Sequence, residues 1–177
     1  MDAAIIAGLK GFIEEETPES FLRLRDAMAA SPGYAPYRDS PDRADSLIDR
    51  GDFANAKVVL LSLMPSYFLN PGIHLRLSFV LHKLGDEKGA GAEFGLGMRC
   101  MEGILSTGSG DRARPYLVLH TDDEYDLLEH QSKKSTQQAL VQKDDRSFDV
   151  HTCEDGSEVW FDITIPYSYL ARSMEKK

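Results

Sequence analysis

Gly51-Asp52-Phe53-Ala54-Asn55-Ala56 and Gly85-Asp86-Glu87-Lys88-Gly89-Ala90 decide how the first half of this chain is read. The hexapeptides lie 34 residues apart, and the same offset aligns Ala44 with Ser78, Leu47 with Leu81, Leu60 with Phe94 and Met64 with Met98. Each Gly-Asp pair reads as a tight turn whose aspartate caps the next helix. Small residues before the turn (Ala44, Ser78) and after it (Ala56, Ala90) let the two helices of a pair approach closely. Two antiparallel helix pairs are therefore expected. Gly89, Gly91, Gly95 and Gly97 either weaken the last helix, by about 1 kcal/mol each relative to alanine, or mark close helix contacts.

Upstream, Ile5, Ile6, Leu9, Phe12 and Ile13 form one apolar stripe on a helix from Asp2 to Glu16. Thr17-Pro18 opens a second helix, with threonine as N-cap and proline at the first position, and Ser31-Pro32-Gly33 ends it. Ser40-Pro41 opens the next in the same way. Over roughly residues 41–105 the 34-residue period resembles the tetratricopeptide family. That resemblance implies stacked helix pairs with a groove that binds peptides or proteins.

Downstream of Gly110 the pattern changes. Pro115 to His120 reads as a strand with Tyr116, Val118 and His120 on one face. Thr121-Asp122-Asp123-Glu124 reads as a capping box. Three strands follow, with hairpin tips at Asp144-Asp145 and Asp155-Gly156, the latter a type I′ signal. Pairing about Asp144-Asp145 sets Val141 opposite Phe148 and Ala139 opposite Val150. Pairing about Asp155-Gly156 sets Val150 opposite Phe161 and Phe148 opposite Ile163. The expected buried face is Phe148, Val150, Val159, Phe161 and Ile163, covered by Met98, Met101, Ile104 and Leu105. The fold class is α+β: a helical subdomain over 1–110 and a strand–helix–three-stranded meander over 111–177. The two are packed as one unit, because so small a sheet is not stable alone.

The order of helix pairs, Gly108-Ser109-Gly110-Asp111 loop, strand, Asp-Glu-Tyr helix and strands also resembles the bacterial domain-of-unknown-function family DUF4919. Its stretch is Ile104 to Leu128 with the Phe148 and Trp160-Phe161-Asp162 segments, and the family's loop typically reads Ser-Gly-Asp-Gly. The resemblance implies architecture and no activity.

The chain has 177 residues and a formal charge of −9, with 20 Lys+Arg against 29 Asp+Glu. Neither half is basic, which argues against a phosphate-backbone footprint and so against nucleic acid. No apolar run approaches a membrane span, and the start has no signal-peptide pattern. Cys100 and Cys153 make no disulfide framework. A cytoplasmic location is expected. The Gly108–Asp111 loop offers backbone amides for a phosphate, yet lacks a P-loop ending and reads as a turn. Asp122, Asp123 and Asp126 gather at a helix start, as dipole partners or as contacts for a basic protein. The polar hairpin face sets Asp149 opposite Asp162 and His151 opposite Trp160, a further partner surface. Asp149, His151 and Asp162 would alternatively be mixed ligands of a divalent metal in a hydrolase. The expected function is non-catalytic binding of another protein by an acidic immunity-, inhibitor- or scaffold-type module, with no cofactor.

Overall fold

A computed structural model of the chain describes residues 3–15, 17–37 and 40–174. Among these the order is α1 (Ala3–Glu15), α2 (Pro18–Ala30), α3 (Asp42–Asp49), α4 (Phe53–Tyr67), α5 (Pro71–Lys83), α6 (Glu87–Ser106), β1 (Tyr116–Leu117), α7 (Asp122–His130), β2 (Ser135–Lys143), β3 (Arg146–Cys153), β4 (Glu158–Asp162) and α8 (Thr164–Met174). The fold is α+β, helical first and then a small mixed sheet. The second half carries two helices rather than the expected one, because the chain leaves the sheet after Asp162 and closes as α8.

The two Gly-Asp turns share one geometry. Gly51 and Gly85 have φ of +74° and +82°, the left-handed conformation that ends a helix. Asp52 and Asp86 donate their amides to Leu47 and Leu81 carbonyls, each at 2.9 Å. Their carboxylates cap α4 and α6 by accepting from Asn55 and Gly89 amides. Ala44, Ala56 and Ala90 are buried where the helices meet, and the Ser78 hydroxyl bonds the Ala90 carbonyl at 2.8 Å. Thr17 caps α2 as expected, in a box with Ser20. At α3 the cap position falls on Pro41, which has no capping side chain.

The first hairpin packs on α6. Gly103 has no room for a Cβ, which would stand 2.2 Å from the Phe21 ring, so glycine permits the α2–α6 contact. Two apolar clusters result. One lies within α3–α6 around Leu60, Ile73 and Leu77. The other joins Phe12, Phe21 and Leu24 of the first hairpin and Met101 and Ile104 of α6 to Leu127, Val159, Phe161 and Ile163. Since that cluster draws on both halves, a fragment ending at Gly110 should lose cooperative melting and aggregate. Calorimetry of residues 1–110 checks this, and a sharp reversible transition would refute it.

The sheet order is β1-β4-β3-β2, with β1 parallel to β4 and both other ladders antiparallel. The expected first strand shortens to Tyr116–Leu117. The β2–β3 register is the expected one, Val141 opposite Phe148 and Ala139 opposite Val150. The β3–β4 register is displaced by one residue: Val150 faces Trp160 and Phe148 faces Asp162. The cause is the turn. Cys153 donates to the Ser157 carbonyl and Gly156 to the Cys153 carbonyl, both at 2.9 Å, and Gly156 has φ +79°. This is a three-residue loop, Glu154-Asp155-Gly156, whose last residue is left-handed, not a two-residue type I′ turn. The type I′ conformation belongs to Asp144 and Asp145, at φ 50° and 59°. The displacement splits the expected apolar face. Val159 and Phe161 face the helices with Asp149, His151 and Cys153, whereas Phe148 and Val150 share the other face with Trp160.

Candidate functional site

The Gly108–Asp111 loop is a structural turn. Ser109 and Gly110 amides both donate to the Arg114 carbonyl, at 2.9 and 3.0 Å, so they are not presented to a phosphate. The Asp111 carboxylate closes the loop on Ala113 and Arg114 amides, which hold it below its ordinary range after the Ser109 hydroxyl. The Gly110 carbonyl accepts from the Trp160 amide at 2.9 Å, so the loop extends the β1 side of the sheet.

The acids at the start of α7 point inward. Asp123 is 2% and Glu124 0% exposed, so they offer no surface to a basic protein. The expected capping box is absent, since Thr121 makes no side-chain cap. Asp123 instead accepts from Leu119 and His120 amides, each at 2.9 Å, and from the Asn70 side chain at 2.7 Å. Asp126 accepts from the Gly72 amide at 3.1 Å and from Asn70 at 2.9 Å, which places it on the N-terminus of α5. Asp122 bonds the Tyr67 hydroxyl. These aspartates therefore tie α7 to the helical half.

Burial and neighbouring Asp123 push the Asp126 carboxyl up to about 7. A carboxyl raised in the folded state stabilises most below its unfolded pKa, and that contribution is lost as pH rises through 7. Asp126→Asn keeps an acceptor for the Gly72 amide and removes the titration. Its stability relative to the parent should improve between pH 5 and 8 by roughly 1–2 kcal/mol, read by urea unfolding at both values. His120 and His151, both held below their ordinary value by burial, act in the opposite sense and cancel in this comparison.

The residues of the anticipated hairpin face do not converge. Asp149 and His151 lie on the helix-covered face, whereas Asp162 and Trp160 lie on the other. Burial raises Asp162, but its bonds to Thr164 and Arg146 outweigh that and hold its carboxyl low. The metal trio is thereby separated. Among the described residues no group of three or more His, Cys, Asp or Glu side chains is placed to hold a metal ion.

What the structure does assemble is a polar chain between α7 and the sheet. His151 Nε2 lies 2.8 Å from Glu124 Oε2, and its Nδ1 lies 2.9 Å from the Ser135 hydroxyl. Glu124 is fully buried beside Asp149, with which it shares a side-chain hydrogen bond. Burial, then the charges of Asp149 and Asp123, push the Glu124 carboxyl well up. Asp149 accepts from the Gln138 amide at 2.9 Å, and the Tyr125 hydroxyl donates to Gln138 at 2.8 Å. Sequence reasoning assigned Glu124 to a cap and passed over Ser135. A carboxyl on a helix, a histidine on one strand and a serine on the next share no spacing that marks them.

The remaining feature is β2 itself. Its residues are exposed or half-exposed along the whole strand, Leu140 by 50%, and it ends the sheet. A two-residue loop makes Lys143 and Arg146 a hydrogen-bonded pair, so Ala139 and Val141 bond β3 while Gln138, Leu140 and Gln142 turn their backbone groups outward. Beside its hairpin end, Arg112, Lys143, Asp144 and Arg146 rim a hollow of about 190 Å³ floored by Phe148 and Trp160. No helix among the described residues is long and apolar enough to cross a membrane. Comparison with protein-family models, with curated proteins and with solved structures finds no match to this chain.

Proposed function

We propose that this chain is a protein-interaction module that takes an extended segment of a partner protein as a further strand beside β2. The observation that carries the reading is the open edge of β2, a nine-residue strand with Lys143 as its only charge. Long, exposed, weakly charged edges are templates for strand addition. The other side of the sheet is shielded by a two-residue strand and the Gly110 loop, which leaves β2 as the available edge. The helix pairs, for which the tetratricopeptide resemblance also implies protein binding, serve as the rigid support. Their α5 face is partly occupied by α7, so the docking surface lies on the sheet.

The partner differs from the basic one expected of the acidic turn, whose carboxylates are spent inside. At the hairpin end Lys143 is paired with Asp144 and Arg146 with Asp162, while Arg112 adds a further positive charge, so the local balance disfavours a basic residue of the segment there. Leu140→Pro tests the reading. It removes an outward amide, leaves the β3 ladder intact and is tolerated on an edge strand. Peptides selected from a displayed random library on the parent should lose at least about tenfold in affinity for the variant, while its melting stays cooperative. Equal affinity for a folded Leu140→Pro protein would refute the proposal.

A further inference from the structure

Ser135, His151 and Glu124 form a hydrogen-bonded chain that strand addition does not use. The serine hydroxyl lies 2.9 Å from His151 Nδ1, and His151 Nε2 lies 2.8 Å from Glu124 Oε2. A nucleophile within hydrogen-bond reach of a base that a third group orients is the arrangement acyl transfer needs. The burial gradient also fits. Glu124 and His151 are fully buried, while Ser135 is half-exposed at the start of β2. The imidazole is fixed by the edge-on rings of Tyr125 and Phe161, at 5.4 and 5.5 Å. Nδ1 serves as base in the tautomer whose Nε2–H is donated to Glu124 Oε2.

A second observation concerns the backbone. The ladder is irregular between Ser135, opposite Cys153, and Gln137, opposite Thr152, which leaves Thr136 with no residue opposite it in the register. The amide immediately after a nucleophile is a usual donor to the oxyanion of acyl transfer. Glu124 also shares a side-chain hydrogen bond with Asp149, so its carboxyl is held between Asp149 and His151.

We propose that Ser135 is an acyl-accepting nucleophile, with His151 as its base and Glu124 as the positioning residue, acting on uncharged carboxylic esters. Asp149, beside His151 on the same face, disfavours an anionic acyl group, and the half-exposed Tyr125 ring gives an apolar wall. The Ser135 oxygen bonds to the ester carbonyl carbon while its proton passes to His151. His151 then delivers that proton to the departing alkoxide as the ester C–O bond breaks. Water, losing a proton to His151, attacks the acyl-serine and releases the carboxylic acid, and the proton returns to Ser135.

The test uses the full chain and a fluorophosphonate probe, in which a Ser135–phosphorus bond forms as fluoride leaves and the proton goes to His151. One adduct per folded chain is expected, mapping to Ser135. It should form at least about 100-fold faster than in the urea-unfolded chain. Ser135→Ala, at a half-exposed position, should stay folded and unlabelled. Glu124→Gln should label more slowly and with a displaced pH profile, a readout that a purely structural role would not move. Absence of a folded-state adduct, labelling of Ser135→Ala at the parent rate, or equal rates folded and unfolded would each overturn the proposal.

Discussion

Phe161→Ala should lower unfolding stability by about 3–5 kcal/mol, the loss expected when a large ring is deleted from a core that cannot collapse around the void. The ring is fully buried and packs against Tyr116 at 5.9 Å and His151 at 5.5 Å. It sits in the cluster shared by the first hairpin, α6, α7 and the sheet. A cavity at that point loosens both halves together, so one transition should shift as a unit in urea. Two separated transitions would mean that the halves melt independently.

Glu124→Ala should cost about 3 kcal/mol, well above the loss of a surface cap at about 1 kcal/mol. The substitution leaves His151 Nε2 without its buried partner and opens a void against Asp149 and the sheet. Urea unfolding separates the two accounts, since a loss under about 1 kcal/mol would return Glu124 to the capping role.

That contrast marks how far the residues could be read in one dimension. The Gly-Asp turns, the Thr17 cap and the β2–β3 register are local: each is specified by residues within a turn or by side-chain alternation across one tip. Capping at Thr121 was equally local in appearance and failed because burial outbid it. Asp123 and Glu124 found partners on α5, the preceding loop and β3 that stabilise them more than an exposed helix end would. The β3–β4 register failed on a single residue. Asp155-Gly156 suits a two-residue turn, but a three-residue loop with glycine last also satisfies it, and the inclusion of Glu154 moves every later side chain to the opposite face. The proposed metal trio fell with that register. Ser135 was invisible because the register pairs it with Cys153, and only the bulge at Thr136 brings its hydroxyl within reach of the His151 imidazole.

The open edge of β2 is the centre of the functional account, and amide hydrogen exchange addresses it directly. In the free chain the Gln138, Leu140 and Gln142 amides should exchange quickly, whereas Ala139 and Val141 are protected by β3. With a selected peptide bound, the outward set should slow by at least about tenfold and the inward set should hardly change. Unchanged exchange at Gln138, Leu140 and Gln142, with new protection confined to the helix pairs, would contradict strand addition and move the binding surface off the sheet.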